Sequence, residues 1–84
     1  HGSSVLSVFP TLTRSGTLLK INVNATGRGT IDLLDINGKV LHNIHKGEME
    51  RCFYEEADIS GLSKGTYMIR LSIDNRILTR KFIF

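Results

Sequence analysis

The chain has 84 residues, of which 40% are hydrophobic and 23% charged, and it carries a formal net charge of +3. This length predicts one small domain with a single core, and this composition excludes an intrinsically disordered chain. No apolar run reaches the roughly 18 residues of a membrane span. A single cysteine, Cys52, excludes an internal disulfide and a multi-cysteine zinc site. We expect residues 1–4 to be a linker or an expression-tag remnant and residues 5–84 to form the domain.

Short segments of alternating polarity predict seven β-strands along the chain. They cover residues 5–9, 18–24, 30–36, 39–46, 48–55, 66–73 and 76–84. Pro10 ends the first strand, because proline cannot donate a hydrogen bond to a strand ladder. Since the sequence has no long amphipathic helix pattern, these strands predict an all-β fold, a small sandwich of two antiparallel sheets.

Turn residues predict how two of these connections are built. Asn37-Gly38 predicts a type I′ hairpin between the third and fourth strands, with Asp35 accepting backbone N–H groups at the corner. Residues 57–65 predict a compact loop that tucks Ile59 and Leu62 under the sheet.

The last two strands, joined at Asp74-Asn75, differ in how well their pattern defines them. The first alternates cleanly, and its core-facing residues are Tyr67, Ile69, Leu71 and Ile73. The second mixes apolar and basic residues on both faces, so the pattern does not fix its register. One face has Leu78, Arg80, Phe82 and Phe84, and the other has Ile77, Thr79, Lys81 and Ile83. Such an apolar chain end either completes a core or is recognised by a partner.

The sequence contains no constellation of catalytic or metal-binding residues. Glu55 and Glu56 face opposite ways in a strand, so together with Asp58 they indicate a solvated acidic turn. His42 and His45 are three residues apart and are expected on opposite faces, which does not suit one metal ion. We expect no catalytic activity, no metal and no cofactor. The scattered basic residues, without interleaved aromatic residues, do not indicate nucleic-acid binding.

Three blocks of the sequence, in order, resemble one known family. They are Val8-Phe9-Pro10 with Gly16-Thr17-Leu18, residues 31–41 around Asp35 and Gly38, and residues 62–71 with 79–83 around Gly65 and Tyr67. Together they resemble the type A C-terminal sorting domain carried by cargo of the type IX secretion system, also called the Por secretion tail.

The resemblance implies a seven-stranded immunoglobulin-like sandwich that acts as a secretion signal. Such a domain follows an N-terminal cargo, directs it from the periplasm through the outer-membrane translocon, and is then removed by a sortase-like peptidase. The cargo is secreted or held at the cell surface. We expect the translocon and its shuttle proteins to recognise Arg80, Lys81 and Phe82, with Arg70 and Lys39 nearby. The expected fold-building residues are Pro10, Gly16, Asp35, Gly38, Gly65 and Tyr67.

Two further possibilities remain open. In the first, the chain is an accessory sandwich of an extracellular hydrolase, which binds carbohydrate or spaces domains. A carbohydrate platform usually exposes aromatic side chains for stacking, and this sequence has no Trp and two Tyr. An open sandwich can also form a dimer through an edge strand.

Overall fold

Seven antiparallel strands in two sheets make up the structure, a computed structural model that describes residues 6–9, 18–50 and 53–84. The strands are β1 (Leu6–Phe9), β2 (Leu18–Val23), β3 (Gly27–Asp35), β4 (Val40–Met49), β5 (Phe53–Asp58), β6 (Thr66–Ile73) and β7 (Arg76–Ile83). One sheet has the order β1-β2-β5 and the other has the order β4-β3-β6-β7. Among the described residues there is no helix long and apolar enough to cross a membrane.

The inner faces of the two sheets enclose one hydrophobic core, which confirms the predicted all-β sandwich. The predicted alternation of β6 is confirmed, since Ile69, Leu71 and Ile73 are buried. Ile59 is also buried and Leu62 packs against the core, as predicted for their loop. In an immunoglobulin constant domain the fourth strand lies beside the fifth. Here β4 pairs with β3 instead, so the sheet that contains β1 and β2 has three strands and the sheet that contains β3 and β6 has four.

The predicted strand over residues 48–55 is wrong, because the chain changes sheets within this segment. Met49 ends β4 in the four-stranded sheet, and Phe53 begins β5 in the three-stranded sheet. Both side chains contribute to the core. They are an even number of residues apart, so the period of two continues across the crossing and conceals it in the sequence.

The predicted type I′ hairpin after β3 is also wrong, although its corner residue is right. Gly38 has a φ of 87°, whereas Asn37 is not among the residues with positive φ. The Gly38 N–H donates to the Asp35 carbonyl oxygen, and the Asp35 N–H donates to the Lys39 carbonyl oxygen. This is the three-residue hairpin loop that ends in a glycine with positive φ. As predicted, the Asp35 carboxylate accepts backbone N–H groups, those of Asn37 and Lys39, each at 2.9 Å.

β3 begins three residues before its predicted start, and Gly29 lies in this additional part of the strand. It pairs with Gly47 of β4 on one side and with Ile73 of β6 on the other. A Cβ atom at Gly29 would collide with the carbonyl oxygen of Ser72. Glycine therefore lets β3 come close to β6, although glycine is usually a poor strand residue.

Candidate functional site

The loop before β6 and the end of β7 are joined by a cluster of backbone and aromatic contacts. The Tyr67 hydroxyl donates to the Ser63 carbonyl oxygen at 2.6 Å, and its ring stacks on Phe82 with centroids 5.8 Å apart. Gly65 and Phe84 exchange two backbone hydrogen bonds, of 3.0 and 2.8 Å. This arrangement is the tyrosine corner of immunoglobulin-like sandwiches. Of the expected fold-building residues, Asp35, Gly38, Gly65 and Tyr67 occupy turns or this corner, whereas Pro10 and Gly16 lie outside the described residues.

The pairing of β6 with β7 fixes which backbone groups of β7 face away from the sheet. The two strands pair without a register shift from Thr66–Ile83 to Ile73–Arg76. Because Gly65 and Phe84 are a hydrogen-bonded pair, every second residue of β7 counted back from Phe84 also bonds to β6. The backbone groups of Ile77, Thr79, Lys81 and Ile83 therefore point away from β6, and β7 also lies against β1.

The same register resolves the two mixed faces of β7. Phe82 is 1% exposed and belongs to the core, and Leu78 packs against it. Arg80 lies on this inner face, half-buried, and its guanidinium donates to the Thr79 carbonyl oxygen at 3.0 Å. The outer face carries Ile77, which is 69% exposed, together with Thr79 and Lys81. A partner at the surface would therefore meet Lys81 and not Phe82.

Of the basic residues expected to form the recognition surface, the structure brings Arg70 and Lys81 together and leaves Lys39 apart. Arg70 pairs with Thr79, and Met68 pairs with Lys81, so Arg70 and Lys81 are diagonal neighbours on the outer face. Lys39 follows the β3–β4 turn at the opposite edge of the sheet. Three strand spacings separate that edge from β7, which corresponds to about 14 Å.

Arg70 is held in a network that sequence reasoning missed. Its Nη2 atom lies 3.3 Å from Oδ2 of Asp32, whose other oxygen accepts a hydrogen bond from the Asn43 amide at 2.9 Å. The Asp32 side chain is 13% exposed and that of Arg70 33%. The Nε atom of Arg70 is buried and has no hydrogen-bond partner among the described residues. The available signal was Asp32 itself, a charged residue between the apolar Ile31 and Leu33.

The four edge strands of the two sheets differ in how open they are to a further strand. β1 has only four residues. The register of β4 shifts twice, which leaves Leu41 and Ile44 as bulge residues, and β5 turns Glu55 toward the core side. Bulges, short strands and inward charges all discourage strand addition. β7 also turns Arg80 inward, but its eight residues pair regularly, which makes it the most regular edge in the described part of the chain.

The acidic residues of β5 do not converge on one point. Glu55 pairs with Ile21 on the core side, and Glu56 pairs with Lys20 on the outer side, as predicted for adjacent strand residues. The hydrogen bond from the Tyr54 hydroxyl to Glu56, at 2.8 Å, raises the pKa of Tyr54. The backbone N–H of Ser60 donates to Asp58 at 2.9 Å and lowers the pKa of that carboxyl. The carboxylates of Glu56 and Asp58 therefore accept local hydrogen bonds.

The prediction that His42 and His45 lie on opposite faces is wrong. The bulge at Ile44 puts both on the core-facing side of β4, since they pair with Leu33 and Ile31. His45 packs on the Phe53 ring at 4.5 Å, and His42 lines a cleft of about 260 Å³ between β4 and β5. Within the described residues, no group of three or more His, Cys, Asp or Glu side chains could hold a metal ion.

Comparison with known proteins accounts for this combination of fold and sequence blocks. Neither a curated protein nor a solved structure matches the chain significantly. The family model described as "Secretion system C-terminal sorting domain" matches residues 7–84. A domain of this kind is a signal and not a catalytic unit, follows an N-terminal cargo that is secreted or held at the cell surface, and interacts with type IX secretion machinery. The chain therefore belongs to the family of secretion system C-terminal sorting domains and is a type IX sorting signal.

Proposed function

We propose that the type IX machinery recognises this domain at the outer face of β7 and at the backbone groups of Ile77, Thr79 and Lys81, which point away from β6. The observation that carries this proposal is the regularity of β7, an eight-residue edge strand whose pairing with β6 has no register shift. A strand supplied by the translocon or by a shuttle protein would bond to the backbone groups of Ile77, Thr79 and Lys81. In strand addition, main-chain hydrogen bonds give affinity and alternate side chains give specificity.

The side chains on the outer face of β7 supply the specificity in this proposal. Ile77 offers an exposed apolar contact, and Lys81 offers a positive charge. Arg70 lies beside them but is engaged by Asp32, so it supports the surface more than it contacts the partner. Lys39 would take part only if the partner reaches across the sheet. Phe82 and the inner part of Arg80 hold β7 in place from below.

The domain delivers its cargo and is then separated from it. In this proposal the cargo passes from the periplasm through the outer-membrane translocon, and a sortase-like peptidase cuts before β1. The segment of residues 1–4 is the place we assign to the linker, and residues 5–84 are the removable signal. The domain has no catalytic activity of its own. An accessory carbohydrate-binding role has less support, because Tyr67 is held in its corner and Tyr54 is bonded to Glu56.

The proposal is tested by fusing the chain to a periplasmic reporter in a host with the type IX apparatus. Thr79→Pro removes an N–H that points away from β6 and leaves the β6 ladder intact, and proline is tolerated at positions whose N–H does not bond within the sheet. We expect Thr79→Pro and Lys81→Glu to retain the reporter in the periplasm while circular dichroism and the Tm remain close to those of the parent. Normal export of both variants would contradict recognition at β7.

Two controls separate recognition from folding and processing. Lys46→Glu reverses an exposed charge on β4, at the far edge of the same sheet, and should be exported normally. The mass of the exported reporter reports on the peptidase. A reporter that leaves the cell with the whole domain attached would refute cleavage without affecting the recognition claim.

A further inference from the structure

We propose that the cleft between β4 and β5 binds an arginine side chain carried by a peptide segment of a partner protein. β4 and β7 are the outer strands of the four-stranded sheet, so this cleft lies on the opposite side of the domain from β7. Binding here does not depend on recognition at β7. It would give the domain a second contact surface, separate from the one that we assign to export.

The cleft is an open groove between the two sheets with an apolar floor. Its main part, of about 260 Å³, is lined by Leu33, Ile44, Ala57 and Leu62 among others. A second part, of about 190 Å³, shares Ile44 and Ala57 with the first and continues along β5 to Glu55. Each part is smaller than the roughly 300–1,000 Å³ of a small-molecule site. The cleft therefore suits one long side chain better than a bulky ligand.

Two carboxylates give this groove a negative charge. Glu55 is half-buried and lies on the core-facing side of β5, and within the described residues no ion pair engages it. Asp58 lines both parts of the cleft, and the Ser60 N–H lowers the pKa of its carboxyl, which keeps it ionised. A partly buried charge without a partner is unfavourable. The cleft therefore favours a cation that enters from outside.

An arginine side chain matches both the apolar floor and the charge. Its aliphatic stem can pack on Ile44 and Leu62 while its guanidinium meets the carboxylates. Arginine suits this place better than lysine, because its planar guanidinium is more weakly hydrated and matches carboxylates with several donors. A whole strand is discouraged from adding here by the bulges of β4 and the inward charge of Glu55. A single inserted side chain avoids both obstacles.

Binding is tested by an NMR titration of the isotope-labelled chain with a blocked tripeptide that has arginine between two alanines. The matched control peptide carries citrulline, which keeps the shape of arginine without its charge. We expect the amide signals of Ile44, Ala57 and Leu62 to shift in a saturable way with the arginine peptide. The citrulline peptide should bind at least about five times more weakly, which corresponds to the loss of one partly exposed ion pair.

Two variants with the same change in net charge separate the cleft from general electrostatic attraction. Glu55→Gln should weaken binding of the arginine peptide by about fivefold. Glu50→Gln removes an exposed charge that does not line the cleft and should bind like the parent. Thermal unfolding of both variants checks that the fold is kept. A Glu55→Gln chain that is folded and binds like the parent would overturn the proposal.

Three other results would also overturn it. They are equal affinity for the arginine and citrulline peptides, no saturable shift at the cleft residues, and binding of free butylguanidinium as tight as that of the peptide. The last result would assign the cleft to a small cation and not to a protein partner. Thr79→Pro should bind the arginine peptide like the parent, because β7 lies away from the cleft. The outcome is therefore independent of whether β7 is recognised for export.

Discussion

A substitution at Phe82 tests whether this residue of β7 belongs to the core and not to the proposed recognition surface. Its side chain is 1% exposed and stacks on Tyr67. Replacing a buried Phe with Ala costs about 3–5 kcal/mol, because apolar area is lost and a cavity remains. A domain of this size has a total stability of about 4–13 kcal/mol. We therefore expect Phe82→Ala to lower the Tm by at least about 10 °C or to leave the domain unfolded at physiological temperature.

The assay is denaturant unfolding followed by circular dichroism, together with export of the reporter fusion. Phe82→Leu is the matched control, since it keeps most of the apolar volume and should recover much of the stability and export. Lys81→Ala, next to it but on the outer face, should change stability by less than about 0.5 kcal/mol. A Phe82→Ala variant that loses less than 1 kcal/mol would refute the placement of Phe82 in the core.

Three further substitutions test the local interactions. Gly29→Ala should destabilise the domain by about 1–3 kcal/mol, because the added Cβ would collide with the Ser72 carbonyl oxygen. Gly61→Ala is the control, since Gly61 has open space around it, and it should be near neutral in the same denaturation experiment. Equal effects of the two substitutions would contradict a close approach at Gly29. Tyr67→Phe removes the hydrogen bond to the Ser63 carbonyl oxygen and should lower the free energy of unfolding by about 1 kcal/mol, measured from the denaturation midpoint. An unchanged midpoint would show that this hydrogen bond does not stabilise the fold. Asp58 has a lowered pKa because the Ser60 amide bonds to its carboxylate, so its stabilisation is present above the unfolded pKa and is lost as pH falls through the folded pKa. The stability gap between the parent and Asp58→Ala should be largest at neutral pH and should close as the pH falls below the ordinary pKa of an aspartate. A gap that stays constant with pH would contradict this linkage.

The sequence predicted the parts of the fold that depend on local alternation. β6 alternates cleanly, so its buried residues were predicted correctly. The sheet change between Met49 and Phe53 was missed because it preserves the period of two. The faces of His42 and His45 were wrong because a bulge at Ile44 shifts that period by one residue. Neither event leaves a mark in the pattern, because both depend on which strand lies alongside.

The candidate site shows the same division between local and long-range information. The alternation of β7 could not decide which of its mixed faces is inside. That choice comes from pairing with β6, which puts Phe82 beside Tyr67 and under the sheet. Once the inner face is known, Lys81 and Ile77 follow as surface residues. Of the residues expected at the recognition surface, Phe82 lies in the core and Arg80 on the inner face, whereas Lys81 lies on the outer face.

Arg70 decides how far the recognition surface extends beyond β7. Its guanidinium lies 3.3 Å from Asp32, and both side chains are partly shielded from water. If its role is to hold β6 to β3, Arg70→Ala and Asp32→Ala should each destabilise the domain by about 1–3 kcal/mol. The double variant should then lose less than the sum, with a coupling energy near 1 kcal/mol in a double-mutant cycle of denaturation midpoints. Export by the folded fraction of Arg70→Ala should match the parent. If export fails while stability and coupling are unaffected, the partner contacts Arg70 directly, and the surface includes β6 as well as β7.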